Sequence, residues 1–231
     1  MLKVIVFVVL AFQMAWADEA LIEVTGTAEK NLEATHLNLQ LEVWGKSTSA
    51  KQAQASAAQQ FRSLKSQVDQ FKIKKEDFQS HQYQLNPEYN YRGNETPQIS
   101  GYRASQSLMI TIRKLEDVGP FIDAIITSKT NNMGVTIQGM TWDSDKRRAA
   151  EMALLADAVK DARMRAEELA KSAQVKIKRL YRLSDSKTTQ ISPMPRMSLM
   201  KSSSAEMAST EIAPGQIKVS TEVTAQYEIN P

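Results

Sequence analysis

The sequence predicts an α+β fold in which a mainly antiparallel sheet is covered by long amphipathic helices. Several segments alternate apolar with polar residues, which is typical of strands with one buried face. Two long segments instead repeat small or apolar residues every three or four positions, which is typical of helices with one buried face. One strand pair is joined through a Gly-Asn turn, which favours a hairpin and antiparallel pairing.

The chain begins with two predicted strands and a long helix. Residues 21–27 and 35–44 read as strands, and the second alternates Leu or Val with Asn, Gln or Glu. Residues 47–71 repeat Ala, Phe, Leu and Val at helical spacing on a background rich in Ala, Gln and Lys. This segment therefore predicts an amphipathic helix.

A long hairpin and a short helix follow. Residues 78–91 and 99–113 are predicted to pair, with Pro87 interrupting the first strand. A helix is expected at 115–128 and a strand at 134–142. The hairpin is longer than the usual strand of about 5 to 6 residues, so part of it should project beyond the helices.

Residues 146–173 carry the clearest helical period. A cap is expected at Asp143 or Ser144, and Asp161 stands four residues before Arg165, the spacing of an exposed ion pair. The predicted buried stripe is Met152, Leu155, Val159, Ala162, Ala166, Leu169 and Ala173. Its alanines favour close packing on a sheet over a coiled-coil seam. Strands at 175–183 and 216–229 complete the fold, and the order of elements is compatible with two related halves.

Residues 184–215 are rich in Ser, Thr, Met and Pro and predict a long, mobile surface loop. Four methionines of this segment are candidate ligands or contact residues: Met194, Met197, Met200 and Met207. Adaptable apolar contact with a neighbouring subunit or client is the preferred interpretation. Oxidation to sulfoxide and binding of Cu(I) by the soft thioethers are the alternatives.

The N-terminus reads as a signal peptide, residues 1–17. Lys3 precedes an apolar run at 4–14, and Ala15-Trp16-Ala17 supplies small residues for cleavage after Ala17. The run is shorter than the roughly 20 apolar residues that a membrane-spanning helix needs. We therefore expect export, no stable membrane insertion, and a mature domain at 18–231.

Composition and motifs give little support for catalysis. The absence of Cys excludes thiolate nucleophiles, disulfides and Cys-ligated metals. An excess of three positive charges, from 29 Lys and Arg against 26 Asp and Glu, gives no footprint for nucleic acid. His36 and His81 lie on predicted strands without an evident partner. We expect no enzyme activity, no catalytic residue and no cofactor, and an enzyme of unrecognised type is the last alternative.

Three motifs indicate a family. Residues 85–91 read LNPEYNY, residues 99–105 read ISGYRAS, and residues 158–170 read AVKDARMRAEELA. They resemble the L-x-P-x-Y-x-Y, I-x-G-Y-x-A-S and A-V-x-D-A-R-x-K-A-x-x-L-A segments of the bacterial SIMPL-domain family, also called the 26-kDa periplasmic immunogenic protein family. Gln174 stands where a Gly commonly ends the long helix, and Arg165 where Lys is frequent.

The resemblance implies a periplasmic α+β protein that is associated with envelope and oxidative stress and forms large oligomers. It implies no established catalytic residue. A homo-oligomer, and contact with other envelope proteins, are the expected partnerships. Because projecting strand edges pair readily with other chains, we expect Tyr89, Tyr91 and Tyr102 near subunit contacts, together with the Met-rich loop. The alternative is that these tyrosines pack within the monomer.

Overall fold

The computed structural model describes residues 20–90, 96–126, 131–186, 192–194, 212 and 214–230. Over these residues it confirms an α+β fold with antiparallel sheets and three α-helices. In chain order the elements are β1 (Leu21–Glu33), β2 (His36–Ser47), α1 (Ala50–Gln70), β3 (Phe78–Asn90), β4 (Gln98–Ile112), α2 (Val118–Ile126), β5 (Met133–Asp143), α3 (Arg147–Ser172), β6 (Lys176–Ser186), β7 (Ser192–Met194) and β8 (Gln216–Asn230).

The chain divides into two compact units. Of the described residues, the small unit contains 20–28, 155–186 and 221–230, and the large unit contains the remainder. The elements β1, α3 and β8 each have residues in both units. Each unit has its own core.

The large unit contains a sheet in the order β3-β4-β2-β5, in which every neighbouring pair is antiparallel. The alternation in β2 places its leucines on the face that α1 covers, where Leu39 meets Leu64 and Val68 of α1 in one apolar cluster with Phe121 of α2. Full burial of each such side chain stabilises the fold by about 1.5–3 kcal/mol. Helix α1 begins after Ser49, whose hydroxyl accepts a hydrogen bond from the Gln52 backbone N–H.

The small unit contains strands in the order β1-β8-β6. Its core combines alanines of α3 with Val24 of β1 and with Val223, Ala225 and Tyr227 of β8. An added Cβ at Gly26 would lie 2.1 Å from the carbonyl oxygen of Ala158 and 2.7 Å from the Cβ of Ala162. Helix and strand backbones therefore approach too closely for any larger residue at these points.

The stripe predicted for α3 was wrong in part. Met152 is 64% exposed and Leu169 is 50% exposed, and Leu155 and Val159 are only half-buried. The buried residues instead recur every four positions: Ala150, Leu154, Ala158, Ala162, Ala166 and Ala170. The prediction favoured large apolar side chains, whereas the close approach at Gly26 admits only small ones.

Both long helices end in a left-handed residue that is not glycine. Lys72 after α1 has φ 53° and Gln174 after α3 has φ 58°. In each case the following N–H reaches back to a helix carbonyl: Ile73 donates to Val68 at 3.0 Å and Val175 donates to Ala170 at 2.9 Å. Gln174 thus forms the left-handed cap although Gly is absent there.

Other expectations differ from the structure or fall outside its described residues. The strands form two sheets, whereas we expected one. Within the segment predicted as a loop, β6 extends to Ser186, and β7 pairs with β8 at Gln216–Lys218. The signal peptide at 1–17 lies outside the described residues, and the relation between two halves stays a prediction. No helix among the described residues is both long and apolar enough to cross a membrane.

Candidate functional site

The hairpin of β3 and β4 extends past the end of the neighbouring strand. β2 pairs with β4 only as far as Ser47 opposite Tyr102. Beyond that point, residues 98–101 of β4 pair with β3 alone. This segment of the hairpin therefore extends beyond the end of β2.

Large apolar side chains on this hairpin are exposed. Tyr83 is 50% exposed, Leu85 42%, Tyr89 47% and Ile99 53%. All but two residues of β3 are exposed, whereas most residues of β5, at the opposite edge of the sheet, are buried or half-buried. An exposed row of apolar side chains on an edge strand is typical of a surface that contacts another chain.

Two of the predicted contact residues, Tyr89 and Tyr102, have different surroundings. Tyr89 is exposed. Tyr102 packs against Ala53, Ala57 and Ala104, so it serves the interior of the monomer at least in part. Tyr91 lies outside the described residues.

Of the four methionines predicted as ligands or contacts, one lies among the described residues. Met194 lies on β7 opposite Gln216. Met197, Met200 and Met207 lie outside the described residues, so the three interpretations of this cluster stay predictions.

The face of the large sheet opposite α1 carries a polar network around Trp44. The Arg103 guanidinium lies 4.7 Å from the Trp44 ring centroid and donates a 3.1 Å hydrogen bond to Glu42. Trp44 donates its indole N–H to Thr136 at 3.1 Å, and Gln138 donates to Glu42 at 3.2 Å. Each polar group has a partner inside the unit, so this network fixes the register of three strands.

The two histidines do not form a recognisable catalytic or metal site. His36 Nδ1 lies 3.6 Å from the Asp145 carboxylate and 3.2 Å from the Thr35 hydroxyl. His81 is exposed on β3. Across the part of the chain that the structure describes, no group of three or more potential ligands could hold a metal ion.

The buried carboxylate of Asp77 forms an ion pair with Arg113. Arg113 donates two hydrogen bonds of 2.9 Å to its two oxygens and a third, of 3.3 Å, to Asp145. The Asp77 hydrogen bond is the main cause that raises the pKa of Arg113 above its ordinary value. Arg113 therefore stays charged, and this pair fastens the turn before β3 to the end of β4.

Helix α3 also contains a contact that sequence reasoning missed. The Asp161 carboxylate accepts a 2.9 Å hydrogen bond from the backbone N–H of Thr27 in β1, beside the close approach at Gly26. This bond is the main cause that lowers the pKa of Asp161, partial desolvation opposes it, and Arg165 adds to it. The predicted Asp161–Arg165 pair is confirmed at 2.9 Å. No local pattern points to Thr27, which is 134 residues away.

The resemblance to a known family is confirmed by a family model that matches residues 22–227. The family is SIMPL, described as "Protein of unknown function (DUF541)". Because the match covers most of the chain, the protein belongs to the SIMPL family. A search of curated proteins finds no match.

Proposed function

We propose that this SIMPL-family protein is an exported, non-catalytic envelope protein that acts through binding and assembly, with its hairpin as the contact surface between copies. The resemblance set out above supports a periplasmic location and a role in oxidative or envelope stress. The observation that carries the assembly proposal is the exposed, nearly uncharged edge strand β3.

The edge strands β3 and β6 are both largely exposed, but they differ in charge. The sequence of β6 is KIKRLYRLSDS, in which five of the eleven side chains are charged. β3 has Glu88 as its single Asp, Glu, Lys or Arg over thirteen residues, and Lys46 of β2 neutralises it. Charged side chains, Lys above all, protect natural strand edges against pairing with other chains. β6 has this protection and β3 lacks it.

The family motifs contribute to packing and to the exposed hairpin surface. Their buried members have packing duties: Ala104 lies on α1, and Ala158 and Ala162 lie on Gly26. Among their exposed members, Leu85, Tyr89 and Ile99 are apolar or aromatic side chains on the hairpin. Such side chains are suited to contact with another protein.

Export follows from the N-terminal sequence. Lys3, the apolar run at 4–14 and Ala15-Trp16-Ala17 support cleavage after Ala17. N-terminal sequencing of the protein from the envelope fraction should give Asp18 as the first residue. Recovery of Met1 from a membrane fraction would refute processing.

The assembly proposal is tested by light scattering of the mature protein. A Leu85→Lys/Tyr89→Lys variant places two charges on the hairpin and should dissociate the assembly into folded subunits. The control is Leu180→Lys/Leu183→Lys on β6, where both leucines are also more than two-fifths exposed. We expect the control to keep the wild-type mass.

Three outcomes contradict the proposal. A wild-type protein that is a strict monomer at micromolar concentration would remove assembly altogether. Dissociation of the β6 control alone would move the contact to the small unit. An intact assembly in the hairpin variant, with only a lower melting temperature, would mean that these side chains serve the monomer.

A further inference from the structure

A cavity of about 130 Å³ lies in the large unit, where α1 ends, β4 ends and α2 begins. It is independent of the hairpin tip, since its walls come from residues 71–77 and 111–121. None of the family motifs contributes to its lining.

The inner wall of the cavity is apolar and aromatic. Phe71, Ile73, Ile112 and Phe121 form it, and the rings of Phe71 and Phe121 meet edge to face with centroids 5.3 Å apart. An apolar cavity of about 150 Å³ in another protein is sufficient to bind benzene. A single six-membered ring or a short acyl chain is therefore the size of group that fits here.

The rim carries cations that have no carboxylate partner. Two cations of the lining are already paired: Arg113 with Asp77 and Asp145, and Lys74 with Glu76. Lys72 and Lys114 form no ion pair with any residue that the structure describes. Asp117 is the one unpaired carboxylate of the described lining, so the free charges of the rim sum to one positive charge.

Lys72 has a backbone conformation that is unfavourable for any residue with a Cβ. Its φ of 53° is the left-handed conformation, which glycine adopts without the steric cost that a Cβ imposes. The same conformation at Gln174 shows that the helix cap alone accounts for this backbone, so the feature that bears on binding is the side chain at this position. The lysine places a cation at the mouth of an apolar cavity, which a glycine would not do.

From this geometry we infer that the cavity binds a small carboxylic acid with an aromatic ring or short acyl chain. The apolar part enters between Phe71 and Phe121, and the carboxylate stays at the mouth beside Lys72 and Lys114. Apolar burial supplies the affinity, and the two lysines supply the preference for an anion over a neutral analogue.

The test is ligand-observed fluorine NMR on the purified protein, which does not depend on the size of an assembly. The probes are para-fluorobenzoate and its neutral analogue para-fluorobenzyl alcohol. We expect a Kd on the order of 1 mM for the acid. The alcohol should bind the wild type roughly twofold to fivefold more weakly than the acid does. The acid should bind Lys72→Gln or Lys114→Gln more weakly than the wild type by the same factor, because each exposed charge contributes little.

Three further variants make the inference specific. Asp117→Asn removes the opposing carboxylate and should strengthen binding of the acid by about twofold. Ile73→Trp fills the cavity and should abolish binding of both probes while the melting temperature shows that the fold persists. Lys72→Gly should raise the melting temperature, because it relieves the backbone, and yet weaken binding of the acid.

The inference is overturned by equal affinity for the acid and the alcohol, or by binding that Ile73→Trp leaves unchanged. It is also overturned if neither probe binds the wild type at concentrations tenfold above the expected Kd. Binding of both probes with no response to the lysine variants would mean an apolar cavity without anion preference.

Discussion

In each unit a helix packs closely on a strand at one glycine, but the side chains that fill the core around this contact differ between the units. In the large unit, Gly45 lies under α1, where an added Cβ would be 2.4 Å from the Ala57 backbone nitrogen. In the small unit, Gly26 has the same relation to α3 at 2.1 Å. Beyond these contacts, the large unit fills its core with Leu, Ile, Val and Phe, and the small unit fills its core mainly with Ala and Val.

The difference shows that similar helix-on-strand contacts can draw stability from different sources. Burial of large side chains contributes in proportion to apolar area, so the large unit is stabilised by its volume of core. Methyl groups of alanine bury little area. The small unit therefore depends more on close fit at Gly26, on the Asp161 to Thr27 hydrogen bond, and on the Arg163 side chain that lies over Tyr227.

The largest expected effect comes from core volume in the large unit. Leu39 is fully buried on β2, and Leu39→Ala should lower the free energy of unfolding by about 2–5 kcal/mol because a cavity remains. Denaturant titration followed by fluorescence of Trp44 and Trp142 measures it, since both lie in this unit. Hydrogen exchange should show the loss of protection in peptides of β2, β4 and α1. A loss centred instead on α3 would contradict separate cores.

The next effect tests close fit in the small unit. Gly26→Ala adds one methyl group that must displace backbone atoms of α3, and it should cost about 1–3 kcal/mol. Gly139→Ala on β5 is the matched control, because its nearest neighbour is the end of the flexible Gln40 side chain at 3.4 Å. Hydrogen exchange should place the Gly26→Ala effect in β1 and residues 155–172. Equal melting temperatures for the two variants would refute a close fit.

Sequence patterns predicted strands better than helix faces. β2 was expected at 35–44 and lies at His36–Ser47. A strand with one buried face has apolar residues at every second position, and this period is visible in the sequence itself. The buried face of α3 was predicted only at Ala162 and Ala166, because alanine is compatible with either a buried or an exposed helix position. Only the approach of Gly26, far away in the chain, decides which alanines are buried.

The candidate site was predictable in part for a similar reason. The length of the hairpin predicted a segment beyond the helices, and the strand register shows a segment that extends past the end of β2. Which hairpin tyrosine faces α1 depends on tertiary packing, so Tyr102 could not be separated from Tyr89 by sequence. The cavity beside Phe71 was also missed, because it is formed by three elements that no motif connects.

A smaller effect concerns pH in the small unit. The pKa of Asp161 is lower in the folded protein than its ordinary value of 3.8, so its contribution to stability is complete above that value and is lost as pH falls through the folded pKa. Asp161→Asn keeps an oxygen for Thr27 but removes the charge, and should cost about 1 kcal/mol at pH 7. The difference from wild type should shrink at pH 3.

Glu167→Gln is the control for this pH dependence. Glu167 pairs with Arg163 on the exposed surface of α3, where an ion pair contributes about 0–1 kcal/mol. Its unfolding free energy should follow that of wild type from pH 7 to pH 3. A difference between Asp161→Asn and wild type that stays constant over this range would show that the charge on Asp161 has no role.

The smallest expected effect compares the two helix ends. Gln174→Gly and Lys72→Gly each remove a Cβ from a left-handed residue, which relieves strain, while glycine also makes the unfolded chain more flexible. The balance should raise the free energy of unfolding by about 0.5 kcal/mol in each case. Gln174→Gly should act on the small unit and Lys72→Gly on the large unit, as hydrogen exchange of α3 and α1 can distinguish.

Because the two caps have the same backbone hydrogen bond, similar gains are expected despite the different cores. A gain at Gln174 with a loss at Lys72 would mean that the Lys72 side chain itself stabilises the large unit, which its exposed position and missing ion pair within the described structure do not predict.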